Sequence, residues 1–172
     1  MAAAFLHFMQ TFASLLRASR ALLGRDQEVV ASWVGLDRRE VGAWEAGKYK
    51  LMSRAGIDLR KAMERNGIEF IDPTADHGAG VRCRNPSKSD PLRSAQYRAA
   101  RAMVNLSQRA MADYSGVNRN FIARLEANEM TGVNLEALRA LDEAYVRLNV
   151  EMVVETLSTG FGVQWRGTSL KD

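Results

Sequence analysis

Residues 17–47 recur at 98–128 without a gap, and ten of the 31 aligned pairs are identical, including Gln27/Gln108, Ala31/Ala112, Gly35/Gly116, Arg38/Arg119 and Glu45/Glu126. Further pairs are conservative: Leu22/Met103, Trp33/Tyr114, Leu36/Val117, Asp37/Asn118 and Val41/Ile122. Beyond that window Ile68-Glu69-Phe70-Ile71 returns as Val150-Glu151-Met152-Val153, and residues 78–84 return as 160–166, now 82 positions apart, so one residue was inserted between. About 68 residues per copy is too long, and two copies too few, for a solenoid. The chain is therefore expected to be a pair of small domains descended from one unit.

A chain of 172 residues divided in this way leaves each half a small core. Such domains are marginal alone, so packing of one copy on the other, or dimerisation, is expected. The net charge of +4 and sequence pI near 9.5 favour an anionic partner. A single Cys83 excludes an intrachain disulfide, and His7 and His77 form no metal-ligand pattern, so no metal or cofactor is expected. There is no phosphate-binding glycine loop, dinucleotide fingerprint or catalytic spacing, which argues against an enzyme. Residues 78–80 read as a turn. The apolar opening, residues 1–9, lacks the basic start and cleavage site of a signal peptide and is too short to span a bilayer. A reducing, cytoplasmic setting is expected, with Phe5, Phe8, Phe12, Leu15 and Leu16 forming the buried or dimerising stripe of an extended first helix.

Along each copy the signals fall in one order. Residues 17–23 and 98–104 read as short helices followed by a polar break, in which Asp26 and Ser107 are suited to cap the next helix. That helix covers 27–34 or 108–115 and stops at Gly35 or Gly116, the residue type that enters left-handed backbone space at no steric cost. Asp37 and Asn118 supply a second cap. The helices at 38–46 and 119–127 carry Val41/Trp44 and Ile122/Leu125, whose spacing makes one buried face. Helices at 55–65 and 134–148 follow, then β-hairpins at 68–84 and 150–166 that close each copy, with an exposed strand edge free to pair between copies or between chains. Cys83 and Trp165 occupy equivalent, inward-pointing positions of those hairpins. The proline, serine and charged residues of 85–91 read as a linker.

Residues 26–48, Asp-Gln-Glu-Val-Val-Ala-Ser-Trp-Val-Gly-Leu-Asp-Arg-Arg-Glu-Val-Gly-Ala-Trp-Glu-Ala-Gly-Lys, resemble the helix-turn-helix of the lambda-repressor/Cro (XRE) family of transcriptional regulators, and residues 107–128 look like the same motif. Ala31 and Ala112 sit where two helices meet closely, and only a small side chain fits there. The expected fold is mainly α with short β-hairpins: two tandem lambda-repressor-like helix-turn-helix domains, each followed by a hairpin. The divisions are 1–84, a linker at 85–94, 95–167, and a tail at 168–172. Arg20/Glu45 and Arg101/Glu126, opposite charges at one fixed separation, suggest structural salt bridges from the first to the third helix, as the resemblance also implies.

The resemblance implies sequence-specific binding of double-stranded DNA, with the second motif helix in the major groove and its first residues at base edges. By position these are Arg38, Arg39, Glu40 and Ala43 in the first copy, and Arg119, Asn120, Phe121, Ala123 and Arg124 in the second. Asp37 and Asn118 begin those helices. Gln27 and Gln108 open the preceding helices, where amide groups can hold a phosphate, and Lys48 and Lys50 follow the first recognition helix within reach of the backbone. Arginine suits guanine, asparagine adenine, and phenylalanine a thymine methyl, so the copies read different bases and the target is two unlike half-sites. The expected protein is a transcriptional regulator of bacterial or phage type, at the nucleoid. A second reading stands beside it: a protein-binding module, anti-activator or antitoxin-like, in which Phe121 and Glu129 mark a changed surface. A homodimer is also left open.

Overall fold

A computed structural model describes residues 2–86 and 90–167, with side chains from residue 11 onward. The protein is mainly helical, with a small antiparallel sheet. The first half runs α1 (Ala2–Leu22), α2 (Gln27–Ser32), α3 (Arg38–Glu45) and α4 (Arg54–Arg65), then strands β1 (Ile68–Ile71) and β2 (His77–Cys83). The second runs α5 (Ser94–Met103), α6 (Gln108–Ser115), α7 (Arg119–Glu126) and α8 (Leu135–Arg147), then β3 (Val150–Val153) and β4 (Gly162–Arg166).

Local chemistry sets most of these boundaries. The side chains of Asp26 and Ser107 accept the backbone N–H of Val29 and Ala110, at 2.8 and 3.0 Å, and so start α2 and α6. At α3 the cap is reciprocal: Asp37 accepts from the Glu40 N–H and the Glu40 carboxylate accepts from the Asp37 N–H. Helix α2 stops at Ser32, earlier than the pattern of apolar residues predicts. The Trp33 and Val34 N–H groups bond three residues back, to Val30 and Ala31, so the chain tightens before Gly35 turns it at φ 68°. Gly116 turns the second half at φ 74°.

The hairpins do not close their halves separately. They join edge to edge into one sheet of order β1-β2-β4-β3. The outer pairings are the same 82 positions apart: Ile68 lies opposite Cys83 and Val150 opposite Trp165. At the centre, Val81 lies opposite its own counterpart Val163, with Gly80 opposite Gln164 and Arg82 opposite Gly162. Over these three pairs the register is unchanged when the halves are exchanged, so a local two-fold axis passes between Val81 and Val163; beyond Gly80 a register shift sets His77 opposite Arg166 and the symmetry ends. Gly78-Ala79-Gly80, read from sequence as a turn, lies inside β2. A Cβ on Gly80 or on Gly162 would collide with the opposing strand, so the absent side chains let β2 and β4 meet.

Above the sheet α1 packs on β2 and α5 on β4, while the most extensive helix contact is α1 against α5. Phe12, Leu15, Leu16, Ala18 and Leu22 join Ala99, Ala100, Met103, Val81 and Val163 in one buried cluster. The side chains of Phe5 and Phe8 lie outside those described. Cys83 and Trp165 sit half-buried at the margin of the inner sheet face, and the Trp165 indole N–H donates to Ser14 Oγ on α1 at 3.1 Å. Burial pushes the Cys83 thiol pKa up, away from the thiolate form. Asp90, taken as linker from sequence, accepts the N–H groups of Ser94 and Ala95 at 2.7 and 2.9 Å and so caps α5. No described helix is long and apolar enough to cross a membrane.

Candidate nucleic-acid interface

Two buried carboxylates organise the helices that carry the exposed cations. Glu126, the last residue of α7, is 3% exposed. A charge so placed is costly unless every oxygen is partnered. Arg101 on α5 supplies a two-pronged contact, Nε to Oε1 and Nη2 to Oε2, both 2.6 Å, and Gln108 Nε2 donates to Oε2 at 3.0 Å. Arg101 Nη1 continues to the Leu106 carbonyl at 2.8 Å. Burial works against the Arg101 charge, but the hydrogen bonds and field of Glu126 outweigh it and raise the guanidinium pKa.

The first half repeats the arrangement atom for atom. Glu45 accepts from Arg20 Nε at 2.6 Å, Arg20 Nη2 at 3.0 Å and Gln27 Nε2 at 2.8 Å, and Arg20 Nη1 donates to the Arg25 carbonyl at 3.1 Å. The two glutamines were read from sequence as phosphate contacts. In the structure each donates through Nε2 to the buried carboxylate and so ties the first helix of the motif to the end of the second.

Around these anchors the N-terminal ends of α3 and α7 face outward. Arg38, Arg39, Arg119 and Asn120 are exposed, as are Lys48 and Lys50 beyond α3. None of these cations pairs with a carboxylate among the described residues. Glu40 is exposed but turned back into the α3 cap, and Asp37 is that cap. Asn118 plays the same part at α7, where its Oδ1 accepts the Asn120 N–H at 2.8 Å. Ala43 and Ala123 are half-buried on the inner flank of their helices.

Two residues of α7 differ from their sequence reading. Phe121, taken as an exposed aromatic, is half-buried and packs against the core, because a ring at the third position of α7 folds onto the apolar face that Ile122 and Leu125 define. Arg124 stays exposed, but its Nη2 is held at 3.2 Å by the Glu129 carbonyl in the following loop.

Sequence reasoning passed over Arg17 and Arg98, which are identical in the two copies. Both are half-buried and donate to main-chain carbonyls at the ends of α3 and α7 and of the opposite half's first helix. The repeated arginine on a helix face that is otherwise buried was the available signal.

Residues 98–145 match the helix-turn-helix family model. The match runs from within α5 through α6, the turn at Gly116 and α7 to most of α8, so this segment is a helix-turn-helix unit. No curated protein and no solved structure matches the chain.

Proposed function

We propose that the chain is a sequence-specific DNA-binding regulator of transcription that carries two helix-turn-helix units in tandem, reading DNA with α7 and with α3. The observation that supports this most is the double appearance of one device: a buried glutamate at the end of each outward-facing helix, held by an arginine and a glutamine at identical separations. Helices anchored from within by such a network are preorganised to offer their exposed residues to a partner. Arg119 and Asn120 on α7, and Arg38 and Arg39 on α3, are the proposed base-edge contacts; Lys48, Lys50, Arg124 and the amide ends of α2 and α6 are the proposed phosphate contacts.

The local two-fold between the halves is the symmetry that a repressor dimer presents to a palindrome. A single chain so built suits two half-sites about 34 Å apart. The unlike sequences of α3 and α7 make those half-sites unlike. The proposed place of action is the nucleoid in the cytoplasm, without catalysis or cofactor.

The test is selection of a binding site from randomised duplex DNA, followed by affinity measurements at two salt concentrations. Loss of one base-contacting arginine costs about 1–3 kcal/mol at its own position, whereas loss of a phosphate-contacting lysine lowers the salt slope by about one. The Arg38→Ala/Arg39→Ala and Arg119→Ala/Arg124→Ala variants are therefore expected to lose selectivity at different half-sites. Retention by either folded variant of its full selectivity would remove that helix from the readout. A folded wild type that selects no sequence would turn the assignment to a protein partner, a reading that the half-buried Phe121 does not favour.

A further inference from the structure

Arg17 and Arg98 use their guanidinium groups to cross from one half to the other. Arg17 Nε donates to the Ala102 carbonyl at 2.8 Å and Nη2 to the Met103 carbonyl at 3.0 Å, both in the last turn of α5, while Nη1 donates to the carbonyl of Glu45, the last residue of α3. Arg98 returns the contact. Its Nε donates to the Ala21 carbonyl in the last turn of α1 at 2.8 Å, and Nη1 to the carbonyl of Glu126, the last residue of α7, at 2.9 Å. Ala21 and Ala102 are counterparts 81 positions apart, so the two braces are exchanged by the axis that passes between Val81 and Val163.

The carbonyls used are helix-terminal ones, which lack the i+4 donor of the helix interior, although those of Ala21 and Ala102 also accept from Gly24 and Asn105, and they carry the negative end of the helix dipole. One guanidinium thus closes two helix ends belonging to different halves. The other buried residues of α1 and α5 are mostly apolar, among them Leu15, Leu16, Ala18, Ala99, Ala100 and Met103. Apolar burial is non-directional and holds the helices together without fixing how far one slides along the other. Beside the β2–β4 ladder and the Trp165–Ser14 bond, the directional bonds of Arg17 and Arg98 fix it at the ends of α3 and α7, and a lysine cannot replace them, because a single ammonium does not span two helix ends.

We infer that Arg17 and Arg98 are positioning residues that set the separation and angle between α3 and α7, and through them the spacing of the two half-sites the protein accepts. The inference rests on the reading of α3 and α7 as DNA-reading helices. It is distinct from any contact with DNA, since both arginines are half-buried between the halves.

Two measurements test it. In the first, the site selected by the wild type is rebuilt with its half-sites moved together or apart one base pair at a time, and binding is compared with that of Arg17→Lys, Arg98→Lys and the double variant. The wild type should show a narrow optimum and lose roughly a hundredfold where geometry forbids both halves to engage. The folded variants should show a flattened preference at unchanged affinity for an isolated half-site. Variants that are folded and keep the wild-type optimum would overturn the inference, and each single variant keeps one brace should the double variant fail to fold.

The second measurement needs no DNA. Spin labels at Arg39→Cys and Asn120→Cys, in a Cys83→Ser background, report the distance between the two helices, and its distribution should broaden when either brace is changed to lysine. An unchanged distribution would overturn the inference. Broadening in a protein that selects no DNA would sustain the braces and reject the DNA reading.

Discussion

At the scale of single residues, the two glutamates are the most consequential charges in the protein. Glu45 and Glu126 are 4% and 3% exposed, and each is neutralised by one arginine and steadied by one glutamine. Glu126→Ala strands the Arg101 guanidinium in the interior and is expected to cost about 3–5 kcal/mol, measured by denaturant unfolding. Gln108→Ala removes one neutral partner and should cost about 1–2 kcal/mol; an effect on DNA affinity without one on stability would return that glutamine to a phosphate-binding role. Tyr97 and Tyr145 give a second residue-level prediction. Burial, with the Asp142 carboxylate accepting from the Tyr97 hydroxyl at 2.8 Å and the charge of Glu126 near Tyr145, pushes both phenol pKa values far above the ordinary value. As pH rises past about 10, the unfolded chain releases these protons while the folded chain keeps them, so stability falls with rising pH. An ultraviolet absorbance titration should show these two tyrosines ionising only as the protein unfolds, and their ionisation in the folded state would contradict the burial.

At the scale of elements, legibility follows how local the cause is. The caps at Asp26, Asp37, Ser107 and Asn118 act within three residues of themselves, so the starts of α2, α3, α6 and α7 could be read from sequence. Asp90 could not, because its serine- and proline-rich setting resembles a linker, and its carboxylate reaches four and five residues forward to cap α5. Asp90→Ala should therefore destabilise by about 0.5–2 kcal/mol with faster amide exchange at 94–96, and no change there would make the cap incidental. A charge that pairs with another side chain leaves two marks in a sequence; Arg20 and Glu45 stand 25 residues apart, as do Arg101 and Glu126. The carbonyl partners of Arg17 and Arg98 leave none, since every residue carries one. The meeting of β2 with β4 was legible only as one option: an exposed strand edge could pair between copies or between chains, but two hairpins of similar pattern do not announce which edges will do so, and glycines that permit close strand approach look like turn residues.

At the scale of the whole molecule, a sheet and a core shared by both halves should make unfolding a single cooperative transition. Scanning calorimetry checks this: two separate transitions would mean that the halves hold their own cores. Gly162→Val, which drives a side chain into the β2 strand, should lower the midpoint or split the transition, and an unchanged trace would show that the junction contributes little.

The pairing of Val81 with Val163 inside one chain also bears on how such a protein responds to its own abundance. An ordinary symmetric pair assembles from two molecules, falls apart on dilution and gains activity steeply as copies accumulate. Here the two halves are made in equal number, arrive together and cannot be separated by dilution. A regulator of this design that acts as a single chain would answer linearly to the number of molecules in the cell, and neither half could be exchanged for that of a related protein.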